Sequence, residues 1–366
     1  MANIEIPETA AEITTDLLQA AISEMHPGVA IADSRVAQAT GVQETVSTAS
    51  RVKLHLRYGT GSARLPTQVI AKLVIEETGC PAVLYETETK VYREILPDLD
   101  IERPKCLAAL YDERSGRFLL ILEDLSAAGA YFPNVLRPPL SPEQVGKLVD
   151  LTATIHARYW ENHGLSELGS WLGGATKGSH FDFFESAAVP LIEALAAECP
   201  YHRDLLTRTG RSPSRLWDCV KAVHRHHERI FPTTLQHGDT GLHNTYHLPD
   251  GRVGFLDWQL AHRGAWPRDL HYLVCTSLSV ADRRTHERAL VGRYLSRLAA
   301  LGVAGVPTID TAMEEFGRAI IWGFTIGWLM VPSRNYGLAI SAANLERLFA
   351  AATDHNTFAL ADEVAG

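Results

Sequence analysis

Cysteine is scarce and scattered. The five thiols in 366 residues are odd in number, and no two form C-x-x-C, which speaks against a disulfide framework and against a zinc site; a reducing compartment fits best. A basic surplus is also missing: 34 Lys and Arg face 43 Asp and Glu, net −9, with the two signs interspersed. No stripe of the kind a polyanion selects is present, so nucleic acid is not an expected partner. No apolar run reaches about 18 residues. The start, "MANIEIPETAAEITTDLL", lacks a basic segment followed by an apolar one, so neither membrane spanning nor export is expected. The expectation is a cytoplasmic monomer or homodimer. Internal repeats and low-complexity tracts are absent as well, so organisation shows only in changes of hydrophobic period.

What is present is enough apolar material for more than one core. A chain of 366 residues, 46% hydrophobic, exceeds the size at which single cores stop growing, roughly 250–300 residues. Residues 15–25 carry helical spacing and stop before Pro27-Gly28. Alternating, β-branched stretches follow: "SRVAQAT", "SRVKLHLRY" with Val52, Leu54, Leu56 and Tyr58 on one face, and "TQVIAKLVI". After a helical segment, "AVLYETETKVYREIL", come two more strands, "KCLAALYDE" and "RFLLILEDL", joined at Ser115-Gly116. Beyond residue 127 helices dominate, beginning with a capping box at Ser141 and Gln144 and a proline in the first turn. Further helices are predicted near 183–197, 213–230, 267–300, 309–330 and 341–353. The reading is an α+β chain of two lobes. Residues 1–125 form an antiparallel sheet with a helix, a hinge lies at about 122–127, and residues 128–366 form a mostly helical lobe.

One β island interrupts the helical half. In "LQHGDTGLHNTYHLPDGRVGFLDWQ", residues 235–259, the run Pro249-Asp250-Gly251 predicts a hairpin turn. Closing it brings Asn244 and Asp257 to one end, near Asp239 in the preceding loop. Two carboxylates and a carboxamide make an oxygen-rich site for a hard cation such as Mg2+, with one aspartate left to accept a proton or orient a hydroxyl. Phosphoryl transfer asks for this division of labour. Taken singly, each residue reads first as turn chemistry; the spacing shifts the balance.

H-G-D-x-x-x-x-N followed by a hairpin and D-W-Q resembles the Brenner-type motif of the aminoglycoside phosphotransferase and kinase-like superfamily. The N-terminal half resembles its ecdysteroid kinase-like and choline kinase-like branch of small-molecule phosphotransferases. The resemblance implies a bilobal, protein-kinase-like α+β fold with ATP in the cleft. It implies Asp239 as the catalytic carboxylate, and Asn244 and Asp257 as Mg2+ ligands. Histidine and glycine precede Asp239, where protein kinases carry His-Arg, and only nine residues separate Asp257 from Pro267. No activation loop fits there, which points to a small-molecule hydroxyl as the phosphate acceptor.

A kinase also needs a strand lysine for the phosphates and a helix glutamate to pair with it. Lys72 lies in an apolar strand, where an unpaired ammonium is costly. Glu86 and Glu88 both follow in the helix, and E-x-x-x-Y (Glu88, Tyr92) matches the family pattern better. "LLILEDL" becomes the hinge, with backbone groups of Glu123 and Leu125 offered to adenine. G-x-G-x-x-G is lacking: the phosphate loop is expected in "TGVQETVSTAS", where Gly41 stands alone and Ser47 and Thr48 are the candidate contacts.

Other signals weigh less. "HRHHE", 224–228, lacks metalloprotease order and reads as an exposed helix. His156 reads as a packing histidine, and His237 as a brace for the Asp239 loop rather than a base. Asp269 in "WPRDL" resembles a family aspartate that supports that loop, and reads equally as a helix N-terminal carboxylate. The aromatic stripe of Trp322, Phe324, Trp328 and Met330 reads as core; any part facing the acceptor favours a lipophilic alcohol or natural product over a polycation. The function expected is an ATP- and Mg-dependent kinase of a small-molecule hydroxyl. An antibiotic-inactivating phosphotransferase is the alternative, with a catalytically silent kinase-like binding protein behind it. A metal-dependent hydrolase leaves Lys72 unexplained.

Overall fold

Alternation at a period of two builds the first part of the chain. The computed structural model describes residues 4–40, 49–59, 65–75, 80–169 and 171–366, with side chains of 38–40 excepted. By internal contacts the chain divides into two compact units. One is Met1–Tyr131 with His247–Arg252, the other Phe132–Tyr246 with Val253–Gly366. Among the described residues, no helix is long and apolar enough to cross a membrane.

In the first unit, β1 (Ile31–Thr40), β2 (Ser50–Tyr58), β3 (Gln68–Leu73), β4 (Cys106–Asp112) and β5 (Arg117–Glu123) form one antiparallel sheet in the order β1-β2-β3-β5-β4. Val52, Leu54 and Leu56 of β2 and Val69, Ala71 and Leu73 of β3 turn to the same face, where Leu18, Ala21 and Ile22 of α1 (Thr15–Met25) complete a buried core. Because successive strand residues point to opposite faces, Lys72 leaves that core for the other side. There it meets α2 (Ala82–Lys90), whose Tyr85 stacks on Phe118 of β5 with ring centroids 4.6 Å apart. The helix does not end at Lys90: a π-turn, Val91–Ile95, continues it.

The second unit is mostly helical, so the α+β class stands as expected. Its helices are α3 (Pro142–Arg158), α4 (Ser179–Glu198), α5 (Pro200–Thr209), α6 (Pro213–Ile230), α7 (Pro267–Ser277), α8 (Val280–Ala300), α9 (Ile309–Phe324), α10 (Ser333–Tyr336), α11 (Leu338–Asp354) and α12 (Thr357–Ala365). The capping box at Ser141 and Gln144 forms as expected. The single helix predicted over 267–300 is two, because the Ser279 side chain accepts from the Asp282 N–H and starts a new helix. A π-turn, Thr325–Leu329, extends α9 and inserts an extra residue into its register. All eleven residues of α7 are buried, including Arg268, Asp269 and His271. Charges in a helix with no solvent face need partners, and theirs lie on α3, on β9 (His262–Gly264) and in the loop after β6 (Thr234–Gln236), among the short β segments of this unit. Of these segments β6 pairs with β9, and β7 (Thr245–His247) and β8 (Val253–Phe255) form the hairpin.

Candidate active site

The loop after β6 carries His237-Gly238-Asp239, and its shape requires the glycine. Gly238 sits at φ +84°, and a Cβ there would lie 2.0 Å from the Leu260 carbonyl oxygen. The flanking N–H groups are held from α7: Asp269 Oδ2 accepts from His237 N at 2.7 Å, and Oδ1 from Gly238 N at 2.9 Å. Thr240 Oγ1 donates to the Asp269 carbonyl at 2.7 Å, and Thr276 Oγ1 accepts from Leu242 N at 3.1 Å. His156 Nε2 lies 3.3 Å from Asp269 Oδ2. Burial alone would raise the Asp269 pKa, but the hydrogen bond and charge of His156, with His237 and His262, bring it down to about 2. Asp269 is thus both a first-turn helix carboxylate and the anchor of the loop. His156, the buried and hydrogen-bonded core histidine expected, also touches that anchor.

His237 is a brace. Its Nδ1 accepts from Asp239 N at 3.2 Å, so Nε2 carries the proton and donates to the Leu256 carbonyl at 3.0 Å. The ring packs against Trp258 at 4.4 Å, and burial keeps its pKa below the usual value despite Asp269 and Asp239. A histidine with both nitrogens engaged and no charge fixes the Asp239 backbone.

The hairpin forms with Pro249-Asp250-Gly251 at its turn: Leu248 accepts from Gly251 N at 2.9 Å, and Gly251 has φ +87°. Gly254 leaves room for the Tyr246 ring, which a Cβ would meet at 2.3 Å. At the open end, Leu256 N donates to the Asn244 carbonyl at 2.8 Å. Asn244 Nδ2 donates to the Asp239 carbonyl at 3.0 Å, turning its Oδ1 the other way. Asp257 is left-handed, φ 62°, a conformation that non-glycine residues hold only where surroundings enforce it. Asp239, Asn244 and Asp257 therefore share one neighbourhood, in which Asp239 and Asp257 both act electrostatically on His243. The donor set, two carboxylates and a carboxamide oxygen, fits a hard divalent cation.

In the first unit, Lys72 Nζ lies 2.7 Å from Glu88 Oε2, and both side chains are buried. Glu86 pairs instead with Lys90 at 2.6 Å in a half-exposed position. At the end of β5, Glu123 N donates to the Lys105 carbonyl, and the Leu125 carbonyl accepts from Ala128 and Ala130. Gly41, Ser47 and Thr48 lie outside the described residues.

Two features differ from expectation or escaped it. The HRHHE stretch is not an exposed face: His224 and His227 are buried, and His227 and His226 reach Glu315 at 3.0 and 3.2 Å. The amphipathic period of α6 turns these residues inward against α4 and α9, and polar partners await them there. His243 gave no sequence signal. Its Nε2 lies 3.6 Å from Asp239 Oδ2, and its ring meets Trp328 and Tyr336 at 5.8 and 5.7 Å. Burial works against charge on His243, but Asp239 and Asp257 outweigh it and raise its pKa. Among the described residues, no three His, Cys, Asp or Glu side chains group as a metal site by themselves.

Residues 43–302 match the ecdysteroid kinase-like family. Among solved structures, an ethanolamine kinase of Plasmodium vivax matches at 15% identity and TM-score 0.48, over 87% of this chain and 81% of its own. A macrolide 2'-phosphotransferase from Brachybacterium faecium matches at 14% and 0.45, over 92% and 97%. A choline kinase from Streptococcus pneumoniae matches at 13% and 0.42, over 93% and 98%. No curated protein matches in sequence.

Proposed function

Because the chain belongs to the ecdysteroid kinase-like family, among the small-molecule kinases and phosphotransferases, we propose that it transfers the terminal phosphoryl group of ATP to a small-molecule hydroxyl with Mg2+. The observation that carries this reading is the Asp239 loop, a carboxylate displayed on backbone that buried hydrogen bonds from Asp269 and His237 hold in place. Asp239 aligns the acceptor hydroxyl and takes up its proton as the new P–O bond forms. Asn244 Oδ1 and the Asp257 carboxylate hold the cation, which when bound neutralises phosphate oxygens. Lys72, kept in position by Glu88, supplies a second positive charge for the phosphates, and the Glu123 carbonyl with the Leu125 N–H receives the adenine edge. Positioning and charge stabilisation are the main contributions a protein makes to phosphoryl transfer.

The surroundings of Asp239 favour an uncharged acceptor. The side chains next to it on the His243 side are rings, His243, Trp328 and Tyr336, which suit a lipophilic alcohol or natural product better than a polycation. Antibiotic inactivation remains within this class where the antibiotic is uncharged at the reacting end.

ADP release with Mg-ATP across hydroxylated compounds (macrolides, nucleosides, sterols, choline, aminoglycosides) tests the reading. With an acceptor in hand, Asp239→Ala is expected to lower kcat by about 10²–10⁴-fold while nucleotide binding persists, the range for a lost acid–base group. Undiminished turnover in that variant refutes the role given to Asp239.

A further inference from the structure

A second recess lies in the helical unit, walled by Phe181 and Phe184 of α4, Trp217 of α6 and Trp322 of α9, with His224 and Arg268 at its polar end. Its interior holds about 10 Å³, room for one water-sized group, and it opens towards solvent past the aromatic rings. Both polar residues are more than nine-tenths buried.

Their hydrogen bonds fix which protons they carry. His224 Nδ1 lies 3.2 Å from the Ala175 carbonyl, so Nδ1 is the protonated nitrogen. Burial, reinforced by the charge of Arg268, holds the ring neutral, leaving a bare lone pair on Nε2. Among the described residues that atom has no partner. Arg268 donates from Nη2 to the Gly238 carbonyl at 3.1 Å and from Nη1 to His262 Nε2 at 3.0 Å, and its guanidinium lies 3.8 Å over the Trp322 ring. Its Nε–H has no partner among the described residues either. Asp269, next in the chain, is engaged with His237, Gly238 and His156.

The recess therefore presents one donor lacking an acceptor and one acceptor lacking a donor. An anion would satisfy Arg268 but meet the lone pair of His224; an ammonium would meet the guanidinium. A hydroxyl answers both, accepting with oxygen and donating its hydrogen. We propose that the recess is a hydroxyl-recognition subsite for a neutral alcohol, whose oxygen bridges Arg268 Nε and His224 Nε2 while its apolar body lies against Phe181, Phe184 and Trp217. Arg268 also grips the carbonyl just before Asp239, which ties the subsite to the catalytic loop. Resting on the phosphotransferase reading, the alcohol is the acceptor, held here by a hydroxyl other than the one phosphorylated.

The test uses the full chain without nucleotide, and benzyl alcohol and toluene as probes. Thermal shift and ligand-observed NMR are expected to show benzyl alcohol binding about tenfold tighter or more, because a site built for a hydroxyl rejects its deletion. A crystal soaked with benzyl alcohol is expected to place its oxygen within hydrogen-bond distance of both atoms, and His224→Leu to erase the discrimination. Equal affinity for the two probes overturns the subsite, as does a lone water bridging the two atoms unchanged by benzyl alcohol. Should His224→Leu fail to fold, the wild-type comparison and the soak decide alone. Once an acceptor is known, removing its non-reacting hydroxyl is expected to reduce kcat/KM at least about tenfold. Discrimination between the probes with no ADP release from any alcohol sinks the phosphotransferase reading and leaves the subsite; turnover without discrimination does the reverse.

Discussion

Lys72 and Glu88 are a buried charge pair in which each side chain answers the desolvation of the other. Taking one away is asymmetric in its effect. Lys72→Met removes the ion-pair partner of a buried carboxylate and is expected to cost about 3–5 kcal/mol in urea unfolding. Glu88→Gln keeps the contact neutral on one side, so it is expected to fold and to raise KM for ATP about tenfold, read by initial rates at varied nucleotide. An unchanged KM would remove Lys72 from the phosphate-binding role. At this scale the lysine was legible because an ammonium in an apolar strand demands an explanation. The choice between Glu86 and Glu88 needed coordinates as well as pattern, since both face plausible lysines and only packing separates Lys72 from Lys90. His243, Arg268 and the orphaned nitrogen of His224 were invisible, because their partners lie on distant segments and nothing in local spacing announces them.

Among elements, the loop from His237 to Asn244 is legible in its turns and not in its supports. Gly238 is the clearest case: a left-handed φ and a carbonyl 2.0 Å from any added Cβ leave no room for alanine. Gly238→Ala is expected to lower kcat by at least about 100-fold, with about 1–3 kcal/mol of lost stability from the strained backbone. Parallel rate and denaturation measurements check this, and a variant with wild-type rates would show the loop far more pliable than its hydrogen bonds imply. The hairpin was readable because proline, aspartate and glycine dictate its turn. The break between α7 and α8 was hidden, since the cap at Ser279 follows an apolar run that helical periodicity simply continues. The inward face of HRHHE was misread for a related reason: charge and histidine content suggest solvent, and only the tertiary partners Glu315 and Ala175 make burial tolerable.

For the molecule as a whole, buried neutral histidines set the response to acid. His271 is fully buried, and burial brings its pKa down to about 3, whereas the unfolded chain titrates near about 6.5. The folded state thus refuses a proton that the unfolded state accepts. Its stabilisation is complete above the unfolded value and falls as pH drops from about 6.5 towards 3, by up to about 1.4 kcal/mol per pH unit. His224 and His262 are shifted in the same direction, also by burial first. The Tm is expected to fall steadily from pH 7 to pH 5, and His271→Gln to flatten that slope; a Tm independent of pH over this window would show that these rings are hydrated.

The π-turn at Thr325–Leu329 has a consequence for how such a protein diversifies. Each residue of a helix turns the next by about 100°. Excising a single codon from this turn would restore ordinary helical phase and swing Trp328 away from His243, leaving everything upstream in α9 in place. A one-residue indel here would thus re-aim the ring beside His243 while sparing the rest of the helix.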